Sequence, residues 1–161
     1  MAKKKRKEDY GELLVARHPR AEKQYEITER LEAGLVLSGS EVKSLRQRRA
    51  DLEGAFAQAE GSEMVLHRLH IGPYAQATAF GHDPSRPRKL LMHRHQIDKW
   101  ADRLRTEGFT AVPLALYFKK GYAKVLLGLA KGRRQKDRRE DIKRTVDMKE
   151  ARAAAARGRS R

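Results

Sequence analysis

Few residues in this chain are spaced for chemistry, and the first group to weigh is His93-Arg94-His95 with Asp98. Two imidazoles and a carboxylate are the material of a metal site or an acid–base pair. Two histidines two residues apart at a helix start are expected to diverge, however, and no further ligand accompanies them. Polar surface is the better reading. His67 and His70 fall on opposite sides of their strand. The sequence has no glycine-rich phosphate loop, nucleophile elbow or HExxH pattern, so no catalytic residue, metal or cofactor is expected. It also has no cysteine, which excludes disulfides and thiolate zinc sites.

What remains is the chemistry of recognition. Glu32, beside Ala33-Gly34 on a bent strand edge, can accept hydrogen bonds from base amino or imino groups, or else pair with a nearby Lys or Arg. Tyr117, Lys119, Tyr122 and Lys124 fall on the outward parity of a hairpin. Rings there can stack on bases while ammonium groups meet phosphates; a solvated face with amphipathic tyrosines fits the same pattern. Lys131-Gly132-Arg133-Arg134-Gln135-Lys136-Asp137-Arg138-Arg139 forms a basic junction. Thirty-seven Lys and Arg against 21 Asp and Glu give 161 residues a net charge of +16. A charge that large concerns partners rather than fold, and nucleic acid leads. No long apolar segment points to a membrane, and the basic start Met1 to Lys7 has no apolar stretch of a signal peptide. A cytoplasmic protein acting as a monomer is expected.

These residues need elements to hold them. Tyr25, Ile27 and Leu31 alternate with polar residues as in a half-buried strand, which runs across Gly34 to Leu35 and Leu37. Ser38 and Glu41 then have capping-box spacing for a short helix. Val42 and Leu45 form its buried side, and Lys43, Arg46 and Arg49 its basic side. Leu52–Ala59 and Met64–Ile71 read as strands joined at Glu60-Gly61-Ser62-Glu63, and Tyr74–Phe80 as another, before a loop from Gly81 to Arg88. Ile97, Trp100, Ala101 and Leu104 make the apolar stripe of a helix over 95–107, with Trp100 as a core anchor. In the last hairpin, turned at Lys120-Gly121, Val112, Leu114, Leu116 and Phe118 share one face, opposite Val125, Leu127 and Leu129. Pro113 asks for an edge or a bulge. Six or seven short strands and two helices suit a β-dominated fold, a small antiparallel barrel of the oligonucleotide-binding type with flanking helices.

Three regions follow. Residues 1–16 are expected to be a basic flexible arm, with His18, Arg20 and Lys23 leading from it into the first strand of a barrel over 17–130. Residues 131–161 hold 13 Lys and Arg, five Asp and Glu and no aromatic residue. They cannot build a core, so this tail is expected to be disordered alone and helical along a polyanion.

Several motifs resemble those of the small protein B family, the SsrA-binding proteins of bacterial trans-translation. They are Glu32-Ala33-Gly34-Leu35, Ser40-Glu41-Val42-Lys43-Ser44-Leu45-Arg46, Pro73-Tyr74, Arg86-Pro87-Arg88-Lys89-Leu90-Leu91, Val112-Pro113-Leu114 and Leu116-Tyr117-Phe118-Lys119. Lys124, Leu129-Ala130-Lys131-Gly132 and Asp137-Arg138-Arg139 complete the set. The resemblance implies that the barrel binds the tRNA-like domain of tmRNA and takes it to stalled ribosomes. It assigns RNA contacts to Glu32 and Leu91, with Lys124 and Lys131 as basic support. It implies that the tail, from Gly132 through Arg139, enters the vacant decoding centre and mRNA path as a helix against rRNA. His18 stands where the family usually has asparagine, and Lys136 where it has an aromatic or histidine. An imidazole can still donate to phosphate, and a charge contact would replace stacking. The competing expectation is a general rRNA-binding protein or RNA chaperone without tmRNA specificity.

Overall fold

Alternating side chains give the strands one apolar face each, and those faces close on each other. In the computed structural model, which describes residues 10–74, 82–132 and 135–158 and the side chains of the last stretch over 144–156, the elements run in this order. Strand β1 (Leu13–Arg17) precedes a short helix α1 (Ala21–Gln24), a long strand β2 (Tyr25–Leu35) and helix α2 (Gly39–Arg46). Then come β3 (Ala50–Asp51), β4 (Phe56–Glu60), β5 (Glu63–His67), β6 (His70–Ile71) and β7 (Arg88–Leu91). Helix α3 (Arg94–Thr106), strands β8 (Thr110–Lys119) and β9 (Tyr122–Gly132), and helix α4 (Gln135–Gly158) follow. Contacts divide the chain into two units, Met1–Lys131 and Gly132–Arg161.

In the first unit the strand order β8-β4-β5-β7-β2-β9 returns to β8 through the β8–β9 pairing, so the sheet is a closed barrel. Closure removes the exposed edges that would otherwise pair with other chains. Its interior holds Leu35, Met64, Leu66, Leu90, Leu116, Val125, Leu127 and Leu129, with Leu45 of α2 and Ile97 and Trp100 of α3 packed against them. Trp100 is 1% exposed and is the anchor its helical stripe predicts. The antiparallel barrel with flanking helices is the fold expected from the strand pattern.

Several boundaries differ from expectation. Leu13–Arg17 pairs antiparallel with β8, Leu13 opposite Phe118 and Arg17 opposite Ala115, so a strand begins inside the expected arm. The single strand expected over 52–59 breaks because Asp51 accepts from the Glu53 N–H and Ala55 N–H donates to the Leu52 carbonyl, a turn ahead of β4. The strand expected over 64–71 breaks at Arg68, whose φ of +59° leaves the extended region. Arg88 is not loop but the first residue of β7, fully buried. Most of the strand expected over 74–80 lies outside the described residues.

The largest correction concerns β8. Its pairing with β9 shifts between Pro113 and Ala115, a bulge that lets Leu114 take the opposite face. Leu116 and Phe118 therefore fill the barrel, whereas Val112 and Leu114 join Ala21 and Ala130 in a second apolar cluster outside it, under Tyr25, Ile27 and Leu126. The four residues do not share one face. The proline predicted to need a bulge sits at one.

In the second unit the described side chains, 144–156, are all exposed. Among the described residues no helix is long and apolar enough to cross a membrane.

Candidate nucleic-acid interface

Glu32 lies near the end of β2, two residues before Gly34, and points away from the interior occupied by Ala33 and Leu35. Tyr117 on β8 donates its phenol O–H to Glu32 Oε2 at 2.5 Å, and Lys119 Nζ stands 3.6 Å from the same oxygen. The carboxylate remains about one-third exposed. Register places Lys124 opposite Tyr117 and Tyr122 opposite Lys119, so hairpin and strand bring all five residues together. Tyr122 is 72% exposed and is the ring free to meet a base. Tyr117 is not: it is 2% exposed, since β1 pairs alongside it and Tyr10, just ahead of that strand, packs edge-on against its ring at 5.7 Å. The stacking role expected of Tyr117 is thereby corrected. Its polar end serves Glu32 instead.

Leu91 continues this surface. It pairs with Gly34 across β2 and β7 and is 55% exposed. A Cβ on Gly34 would come within 3.1 Å of the Leu91 Cβ, so the glycine is needed for the close approach. Lys89, on the same face of β7, pairs with Glu63 at 2.9 Å.

His18 and Lys23 line a cavity of about 420 Å³ with Tyr10, Arg17, Arg30 and Leu114. His18 Nδ1 accepts from the backbone N–H of Arg20, whose side chain does not line it. Tyr10 joins the cavity to the Glu32 group, since Arg17 stands over its ring at 5.4 Å. Lys43 and Arg46 belong elsewhere, on α2: Arg46 lies over Phe118 at 4.7 Å and Lys43 over Tyr74 at 5.7 Å. Lys131 is at the far end of the hairpin, over Phe109. The ten residues of β8 put roughly 30 Å between the two ends. Gly132 ends β9, Arg133 and Arg134 lie outside the described residues, and Gln135, Lys136, Asp137, Arg138 and Arg139 open α4 with side chains likewise outside them.

Sequence reasoning missed the group that secures α2. Glu41 caps the helix as expected, accepting from the Ser38 N–H at 3.0 Å. Its carboxylate is also fully buried between Arg86 and Arg88. Arg88 in turn donates to the carbonyls of Leu69 and Pro84. Burial pushes the Glu41 carboxyl up, but the hydrogen bonds from Arg86, Ser38 and Arg88 outweigh it and lower the pKa to about 2. The Glu three residues after a cap and the paired arginines were visible in the sequence, but not their meeting across 45 positions.

The histidines form no centre. His93 is the extended N-cap of α3, off the helical spacing, so its ring stacks on His95 at 5.7 Å rather than diverging. Asp98 pairs with Arg94. No metal-ligating cluster occurs among the described residues.

A family model described as SmpB protein matches residues 15–157. A protein of Geobacter metallireducens named SsrA-binding protein is 49% identical over 151 residues, 94% of this chain and 98% of its own. Another of that name from Geobacillus thermodenitrificans is 47% identical over 137 residues, 85% of this chain and 88% of its own. A solved structure described as "tmRNA-SmpB: a journey to the center of the bacterial ribosome" matches with a TM-score of 0.63 and 46% identity, covering 74% of this chain and 84% of that one.

Proposed function

This chain belongs to the SmpB protein family, and from that premise we propose that it binds the tRNA-like domain of tmRNA and brings it to stalled ribosomes in trans-translation. The carrying observation is the Glu32 group. On a chain of net charge +16, a carboxylate in the middle of a basic surface opposes phosphate. It is useful only against donors, which bases and ribose hydroxyls supply. Tyr122, Lys124, Leu91 and Lys89 surround it with a stacking ring, cations and an exposed apolar contact. His18, Arg20, Lys23, Lys43, Arg46 and Lys131 add phosphate contacts that position the RNA. The ribosome as partner makes the protein cytoplasmic.

The tail has the other task. A segment forming its own unit, with exposed described side chains and an excess of cations, suits a probe that folds into the vacant decoding and mRNA path. Gly132 to Arg139 lead it in. The residues from Met1 to the start of β1 add non-specific affinity.

A general RNA chaperone is the alternative, and Glu32→Ala separates the two. Losing a negative charge strengthens a general polyanion binder, whereas a specific reader loses tmRNA affinity by roughly tenfold. Sequencing the RNA that co-purifies from lysate checks the ligand directly. An RNA-processing enzyme centred on His93, His95 and Asp98 would cleave labelled structured RNA in the presence of a divalent metal; intact RNA is expected.

A further inference from the structure

An isolated surface glutamate samples many rotamers, and fixing one on binding opposes affinity. Glu32 is not in that condition. Its Oε2 receives both the Tyr117 O–H and, at 3.6 Å, the Lys119 ammonium, whereas Oε1 takes no hydrogen bond or ion pair among the described residues. The Tyr117 ring is itself immobile: 2% exposed and met edge-on by Tyr10, with Arg17 above the Tyr10 ring. A buried phenol on a barrel strand has few alternatives to the orientation in which it donates. Its neighbours Leu116 and Phe118 fill the core, so simple alternation along β8 sends this ring outward, under Tyr10.

We infer that Tyr117, with Lys119, is a positioning residue that holds Glu32 with Oε1 presented to one RNA donor, a base amino or imino N–H or a ribose hydroxyl. This rests on the tmRNA-binding reading and adds how selectivity is built into it. A preset acceptor rewards a donor at one place and repels phosphate elsewhere, so it discriminates among structured RNAs that share the same backbone charge. Lys119 offsets the local repulsion, and Tyr117 fixes the geometry. Tyr117 needs no contact with RNA.

The test is a double-mutant cycle. Affinities of the full-length protein for the tmRNA tRNA-like domain, and for an unrelated structured RNA of equal length, are measured at one salt concentration well below each variant's thermal midpoint. The proteins are wild type, Tyr117→Phe, Glu32→Ala and the double variant. Tyr117→Phe should weaken specific binding about fivefold to tenfold, leave binding to the unrelated RNA within about twofold, and cause no further loss once Glu32 is alanine. Equal loss in both backgrounds, or none in either, overturns the positioning role. Should Tyr117→Phe not fold, Glu32→Asp replaces it: the shorter side chain keeps the charge but withdraws the carboxylate from the Tyr117 O–H, so specific binding should fall about as far as in Glu32→Ala, and wild-type affinity would overturn the positioning role. Failure of the functional reading looks different: the wild type would then show no preference between the two RNAs.

Discussion

Two glutamates define what this molecule does with acidity. Glu41 is fully buried between Arg86 and Arg88, and its pKa falls from 4.5 to about 2. A folded-state value below the unfolded one means the stabilisation is complete above about pH 4.5 and is lost as the pH falls from there toward 2. The shift corresponds to about 3 kcal/mol. Glu41→Gln should therefore flatten the acid limb of stability between pH 5 and 2. It should also cost about 3–5 kcal/mol at pH 7, because Arg88 is left buried without its counter-charge. Parallel acid-unfolding curves for variant and wild type, followed by circular dichroism, would contradict this. Glu32 spends its charge outward. Sequence alone offered a base acceptor or a salt bridge, and the structure makes it a partner of Tyr117 and Lys119 through Oε2, with Oε1 unengaged among the described residues.

At the scale of elements, turns and bulges decide which side chains meet. The β8–β9 turn has both central residues at positive φ, Lys120 at +51° and Gly121 at +78°. Glycine and asparagine adopt that conformation cheaply, and lysine does not. Lys120→Asn keeps the Lys120 N–H bond to Glu12 Oε1 and should stabilise the protein by about 0.5–1 kcal/mol, read as a higher denaturant midpoint. An unchanged midpoint would mean the turn is not under strain. The bulge at Leu114 does more. A bulge is one unpaired residue, and nothing in the alternation of Val112, Leu114, Leu116 and Phe118 marks where it falls. Pro113 signals that one is needed, but not that it sends Val112 and Leu114 to the outer cluster. The break at Arg68 was equally hidden, since its left-handed backbone has no glycine to announce it.

At the scale of the whole molecule, charge is divided between the two units. Residues 132–161 carry 12 cations against five acids, nearly half of the chain's net charge of +16. Ending the chain before Lys131 should leave specific tmRNA affinity within a few-fold of wild type, make the salt dependence of total RNA binding shallower, and abolish tagging on stalled ribosomes. Loss of specific binding in a gel shift would put recognition in the tail instead. The sequence by itself determined the barrel class, the Ser38–Glu41 cap, the Trp100 anchor, the Lys120-Gly121 turn and the family. These follow from periodicities and spacings that are local, and local physics is written in neighbouring residues. Tertiary structure alone decided that Glu41 meets Arg88, that Tyr117 is a buried donor to Glu32, and that Lys131 lies over Phe109. The first two of those contacts join residues 47 and 85 positions apart. Only closure of the barrel brings such residues within hydrogen-bonding range, and closure depends on the register of every strand at once.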